Sequence, residues 1–186
     1  MTLFEYLAIA FGLLFSLAAL RLVGGLPYAM NASRRYGPHM AMTIILLLGS
    51  AASFWTFWSL NGVTWTFPRF LLALAIPGAL YFSVAMLVPE NPEHVDSWRQ
   101  HYFDVRVRFY GGLTLWGVAA AGSASVNLSM PLGHPARLFQ ALIVGSGLVG
   151  ISSSSHRVHS GIVIGIGVVG MLVALTIGAQ PGWLAR

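Results

Sequence analysis

The chain has 186 residues, of which 56% are hydrophobic and only 8% are charged, and its mean hydropathy is +0.75. Ordinary globular domains carry roughly 25% charged residues, so this composition excludes a soluble domain and predicts a membrane protein. The net charge of +5 comes from arginines at the ends of apolar stretches. Such arginines are typical of membrane topology determinants, so we expect no nucleic-acid partner.

Two residue types are absent, and each absence excludes a class of chemistry. The sequence contains no cysteine, which rules out disulfides, thiolate catalysis and cysteine-ligated iron–sulfur clusters. It also contains no lysine, and retinal is held through a Schiff base to a lysine amine. The chain is therefore not a rhodopsin.

The hydropathy pattern predicts an all-α fold, with residues 1–186 forming one domain of six transmembrane helices. A helix that crosses a hydrocarbon core about 30 Å thick needs about 20 apolar residues. Six stretches meet this requirement, and polar or Pro- and Gly-containing connections separate them. In chain order they are residues 4–25, 40–60, 69–89, 109–128, 136–155 and 160–180. The first lacks the basic leader and cleavage site of a secretory signal, so we expect it to be a retained helix.

The distribution of arginines predicts the orientation of these helices. Positively charged loops stay in the cytoplasm, and placing both termini outside puts seven arginines on the inner face and three on the outer face. The predicted location is a bacterial inner membrane, with periplasmic termini and a cytoplasmic segment at residues 90–109. The seven inner arginines are Arg21, Arg34, Arg35, Arg99, Arg106, Arg108 and Arg157.

Small residues recur at helix-packing spacing in the last three apolar stretches. In lipid such residues let helix backbones approach each other and gain van der Waals contact. The pattern favours packing within one chain, and a homo-oligomer or another membrane subunit is the alternative partner. The residues are Gly117, Ala121 and Ser125, then Gly145, Gly147 and Gly150, and finally Gly161 and Gly165.

The segment from Glu90 to Tyr110 holds four of the five acidic residues, three of the ten arginines and two of the six histidines. Asn91, Pro92 and Glu93 predict a helix start, because they suit the cap, the first helical position and the first turn. The sequence therefore predicts an amphipathic interfacial helix that runs from this point into the fourth span.

Two stripes follow from the helical spacing of this segment. One is apolar and predicts an anchor in the membrane interface: Val95, Trp98, Tyr102, Val105 and Phe109. The other is polar and includes His101, Asp104 and Arg108, so that Asp104 lies three residues after His101 and four before Arg108. We interpret the segment as a cytoplasmic interaction surface formed by Trp98, Arg99, His101, Tyr102, Asp104, Arg106 and Arg108.

An alternative interpretation is a metal-dependent membrane enzyme. Imidazole and carboxylate together suit zinc or non-haem iron, and His156 and His159 have the spacing of one helical turn. The candidate ligands, which all lie on the predicted cytoplasmic side, are His39, His101, Asp104, His156 and His159.

A third interpretation is a small-solute channel or transporter through the last three helices. Its predicted lining is Ser123, Ser125, Asn127, Gln140 and Ser146. The scarcity of ionisable residues at mid-span argues against ion-coupled transport. The favoured function is that of an accessory or ligand-binding subunit with no catalytic residues. Membrane lipids are its expected partners and a bound lipid its expected ligand, and any other cofactor stays open.

Residues 70–110 also contain a sequence pattern that is similar to that of known proteins. Pro77, Leu80, Tyr81 and Pro89-Glu90 precede Trp98-Arg99-x-His101-Tyr102 and Arg106-x-Arg108-Phe109. This pattern resembles uncharacterised small polytopic membrane proteins of bacteria, in which a Trp-Arg-x-His-Tyr helix follows the third span. The resemblance implies an all-helical fold in a bacterial membrane and implies no activity.

Overall fold

The computed structural model describes residues 3–185, and this part of the chain is all-helical. Six α-helices account for most of it, joined by short loops and single turns of 3-10 helix. The prediction of an all-α fold is confirmed. The helices are α1 (Leu3–Met30), α2 (Gly37–Phe57), α3 (Phe67–Leu87), α4 (Trp98–Leu128), α5 (Ala136–Ser152) and α6 (His156–Leu175).

Four of the described helices, α1, α2, α3 and α6, are long and apolar enough to cross a membrane. The helix α5 is shorter, with 17 residues. The helix α4 has 31 residues and is much less apolar on average, because its first three turns carry four charged residues of the 90–110 segment, Arg99, Asp104, Arg106 and Arg108. It also has the most buried residues of the six helices, so protein surrounds much of the surface that lipid would otherwise contact.

The helices pack in a ring whose order around the molecule is α1, α3, α4, α5, α6 and α2, and α2 then returns to α1. One end of the ring, here called the histidine end, carries the loops at residues 31–36, 88–97 and 153–155. The other end, called the tryptophan end, carries the loops at residues 58–66, 129–135 and 176–185. The closest packing involves α3 with α4 and α4 with α5.

Glycines explain why α4 and α5 approach so closely. A Cβ atom on Gly117 would overlap with Val144, and one on Gly147 or Gly150 would overlap with Thr114 or the ring of Tyr110. The predicted role of these glycines in packing within the chain is confirmed. In contrast, a Cβ on Gly161 or Gly165 would meet no atom within 4 Å.

The predicted start of the interfacial helix is wrong. Residues Pro92–His94 form one turn of 3-10 helix, and the side chain of Asn91 makes no capping hydrogen bond. The α-helix starts at Trp98, where the hydroxyl of Ser97 accepts a hydrogen bond from the backbone N–H of Gln100 at 3.4 Å. A serine cap competes well with asparagine, and Val95 and Ser97, which have extended backbone, together with a bend at Asp96 separate the 3-10 turn from α4.

The predicted apolar anchor stripe has a different role from the one expected. Trp98, Tyr102 and Phe109 are fully buried between helices rather than exposed along a membrane interface. Residues 98–128 form one continuous helix, so the structure contains no separate interfacial helix in this segment. The same spacing of apolar residues fits either environment, which is why the periodicity alone could not distinguish them.

Candidate functional site

The buried polar side chains of the histidine end gather where α2 and α4 begin. His39 lies in the first turn of α2 and Trp98 is the first residue of α4. Their rings stack with centroids 4.3 Å apart, and the indole N–H of Trp98 donates to the carbonyl of Tyr28 at 2.9 Å. Both side chains are buried, so this contact joins the ends of α1, α2 and α4.

One carbonyl oxygen serves two histidines. The Nε2 atoms of His39 and His101 lie 3.0 and 3.1 Å from the carbonyl oxygen of Leu87, the last residue of α3. Carbonyls at a helix C-terminus lack partners within the helix and can accept two hydrogen bonds. Because a carbonyl only accepts, both Nε2 atoms carry hydrogens. The two rings therefore cap α3, and the Nδ1 atom of His39 stays buried without a partner.

A second chain of hydrogen bonds joins α4 to α6. Tyr102 Oη lies 2.5 Å from Tyr110 Oη, which lies 3.0 Å from His159 Nδ1, and His159 Nε2 lies 2.9 Å from the carbonyl of Ser153. The Ser153 carbonyl must accept, so Nε2 of His159 donates. For a neutral imidazole, Nδ1 then accepts from Tyr110, and Tyr110 accepts from Tyr102. All donors in the chain point the same way.

Tyr36 and His156 form a pair at the rim of this cluster. The hydroxyl of Tyr36 lies 2.9 Å from Nδ1 of His156, and the Tyr36 ring packs edge-on against Tyr102. Burial raises the pKa of Tyr36, an effect that the nearby charge of Arg99 partly opposes. The hydroxyl therefore stays protonated at neutral pH and can donate to His156.

Two arginines fix the loop that leads into α4. Arg21 donates through Nε to the carbonyl of Val88 at 2.7 Å, and Arg34 donates through Nη1 to the carbonyls of Glu93 and Val95. A cation at the C-terminal end of α3 also complements the helix dipole. The loop is thus tied to α1 and to the α1–α2 connection.

The predicted interaction surface is only partly exposed. Trp98 and Tyr102 are fully buried, so their assignment to such a surface is wrong, because both pack in the core of the histidine end. His101 and Arg106 are half-buried, and Arg99, Asp104 and Arg108 are exposed. An interaction role for the exposed members stays a prediction.

The five predicted metal ligands do not converge. Within residues 3–185 no group of three or more His, Cys, Asp or Glu side chains could hold a metal ion. His39, His101 and His159 donate to backbone carbonyls, His156 pairs with Tyr36, and Asp104 is exposed. In these positions the histidines bind helix ends and a tyrosine, which sequence spacing could not reveal.

A cavity of about 720 Å³ lies at the centre of the ring. It extends along α2 from Met42 to Phe57, a rise of about 22 Å, and so reaches from below the histidine cluster to the tryptophan end. Aliphatic and aromatic side chains from all six helices line it, among them Phe11, Phe15, Leu46, Ile76, Leu113, Phe139, Ile143 and Ile166. Small-molecule sites typically have volumes of about 300–1,000 Å³.

Some polar groups around the cavity are satisfied by the protein itself, whereas the indole N–H groups of Trp116 and Trp183, two lining residues, are buried without a hydrogen-bond partner. Thr56 donates to the carbonyl of Ser53, Ser123 accepts from Asn127, and Gln140 accepts from Arg137. Because the rest of the lining is aliphatic or aromatic, the cavity presents mostly hydrocarbon to a ligand, together with these two indole donors. No sequence pattern indicates this cavity, since the lining residues come from distant stretches of apolar sequence that look like ordinary packing positions.

Only part of the predicted channel lining faces this space. Ser123 and Gln140 line the cavity, whereas Ser125, Asn127 and Ser146 do not. Ser125 instead accepts a hydrogen bond from Arg137, at the tryptophan end of α4. At the histidine end, Tyr102 and Tyr110 are fully buried beyond the cavity. The structure thus shows a cavity that is closed by packed side chains at the histidine end.

Comparisons of the chain with protein-family models, with curated proteins and with solved structures find no match.

Proposed function

We propose that this chain is a multi-pass membrane protein that binds an apolar ligand in its central cavity and acts as an accessory or ligand-binding subunit. The observation that carries the proposal is the cavity of about 720 Å³ with its hydrocarbon lining. A space of this size lined by apolar side chains favours a ligand with a long hydrocarbon part, because burial of apolar surface drives such binding.

In this proposal all six helices cross the membrane, α4 and α5 included. The ring order supports it, since α4 and α5 lie between α3 and α6, two of the helices that are apolar enough to span. By the arginine bias the histidine end faces the cytoplasm and both termini face the periplasm of a bacterial inner membrane. The exposed Arg99, Asp104 and Arg108 then face the cytoplasm, where they are available to another subunit.

The test is binding of a fluorescent long-chain fatty acid to the purified, delipidated protein. We expect saturable binding at one site per chain. The Ala120→Phe substitution fills the cavity and should weaken binding at least tenfold, because Ala120 lines it. Val118→Phe is the matched control, since Val118 is on the same helix but half exposed and outside the cavity. Absence of saturable binding, or equal loss in both variants, would overturn the proposal.

A further inference from the structure

The exposed part of the cavity lining lies on two helices, α2 and α6, and at Ala179 in the turn that follows α6. Leu48 and Trp55 on α2 are 55% and 47% exposed, and Met171 on α6 is 51% exposed. Ala51 and Ala52 on α2 and Ala174 on α6 are exposed as well. The lining residues from α1, α3, α4 and α5 are buried or half-buried. The cavity wall is therefore open along the seam between α2 and α6.

Two contacts mark the limits of this opening. Towards the histidine end, Gly167 faces Ile45 so closely that a Cβ on the glycine would lie 3.2 Å from Ile45 Cδ1. Towards the tryptophan end, the indole N–H of Trp55 donates to the carbonyl of Gly178 at 3.1 Å. Ten residues of α2 separate these levels, which corresponds to about 15 Å along the helix.

The side chains that border this opening, here called the rim, indicate which kind of molecule can enter the cavity. These side chains are Leu48, Ala51, Ala52, Met171 and Ala174, and none of them carries a charge or a strong hydrogen-bonding group. A polar solute would lose its hydration at such a rim without compensation, whereas a hydrocarbon chain would not. The rim lies within two helices that are apolar enough to span the membrane, so it faces hydrocarbon rather than water.

We infer that the ligand is a hydrocarbon chain of a bilayer lipid, and that it passes sideways between α2 and α6. This inference rests on the proposed function, because it specifies the ligand and the route for the same cavity. The indole of Trp55 closes the seam at the tryptophan end, where the polar head of the lipid stays outside the cavity. Its hydrogen bond to Gly178 must break for the seam to widen there.

The chain has no cysteine, so a single engineered thiol can block the opening. The Ala52→Cys variant is reconstituted in vesicles and labelled with a bulky maleimide, and uptake of a phosphatidylcholine with a fluorescent acyl chain is followed. We expect the label to slow uptake at least tenfold. If the protein is loaded before labelling, release should slow by a similar factor. The Leu20→Cys variant, whose site is 70% exposed on α1 and outside the cavity, is the matched control.

A second variant tests the seam without adding bulk. Trp55→Phe removes the hydrogen bond to Gly178 and should speed uptake several-fold, whereas Trp58→Phe at a half-exposed tryptophan should leave the rate unchanged. One outcome would overturn the lateral route alone. In it the unmodified protein binds the fatty acid probe, but neither the label at position 52 nor Trp55→Phe changes the rate of phospholipid uptake. Protein that binds neither probe would overturn the proposed function as well.

Discussion

The two halves of the helix ring differ in how their interior is filled. At the histidine end Trp98, Tyr102 and Tyr110 are fully buried and each makes a hydrogen bond to another helix or side chain. In the tryptophan half the same helices enclose a cavity of about 720 Å³. Under the proposed function this difference is a division of roles, in which one end fixes the helix positions and the other leaves room for a ligand. Regions with fewer buried contacts open at lower free-energy cost, so the seam between α2 and α6 can move while the histidine end stays closed.

The largest expected effect on stability comes from removing the indole side chain of Trp98, which joins three helices at the histidine end. Trp98→Ala should lower the free energy of unfolding by about 4 kcal/mol, through loss of packing against His39 and of the hydrogen bond to Tyr28. Trp58→Ala at the tryptophan end should cost far less, because Trp58 is 54% exposed. Unfolding of both variants in a titration of mixed micelles with denaturing detergent gives the comparison. Equal losses would contradict a difference between the two ends.

A matched pair of glycine substitutions should change stability in opposite directions. Gly150→Ala places a Cβ against the ring of Tyr110 and should destabilise the protein by about 1–3 kcal/mol. Gly49→Ala faces the cavity, where the nearest atom is Trp116 Cη2 at 4.0 Å, and should stabilise α2 by about 0.5–1 kcal/mol. Thermal unfolding in one detergent measures both. Destabilisation by Gly49→Ala would show that the cavity half is packed as tightly as the histidine end.

The smallest expected effect concerns Tyr36 and depends on pH. At neutral pH Tyr36→Phe should cost about 1 kcal/mol through loss of the hydrogen bond to His156. Because burial raises the pKa of Tyr36 in the folded protein, its neutral form is favoured by folding, and this contribution is complete below the unfolded pKa of 10.0. It is lost as the pH rises from there through the folded pKa. The difference in unfolding midpoint between wild type and Tyr36→Phe should therefore shrink above about pH 10, and a constant difference would contradict the burial of this hydroxyl.

The sequence predicted the positions of the helices better than it predicted the contacts and the cavity between them. Hydropathy placed α2, α3, α5 and α6 within a few residues, because long apolar stretches and proline-containing breaks are local signals. The capping pattern placed the start of α4 six residues too early, since Asn91-Pro92 and Ser97 are both plausible helix starts and only tertiary packing selects between them.

The site required contacts between residues far apart in the chain. The sequence singled out His39 and His101 as candidate metal ligands, whereas their shared partner in the structure is a backbone carbonyl, which carries no side-chain signal. Leu87 was missed for the same reason, and Tyr110 was missed because its partner His159 lies 49 residues away in the chain. The cavity arises because α2 and α6, which are separated by about a hundred residues, close the ring loosely. The local periodicity of the sequence does not indicate that α2 and α6 are neighbours.

The position of α6 in the ring also determines the order in which the cavity can be enclosed. Helices α2, α1, α3, α4 and α5 are consecutive neighbours, and α6 is the final piece that joins α5 back to α2. Chains are synthesised from the N-terminus, so the first five helices emerge before the last one exists. Until α6 docks, the first five helices form an open trough that lacks the α6 part of the cavity wall. The docking of α6 is thus the step that completes this wall.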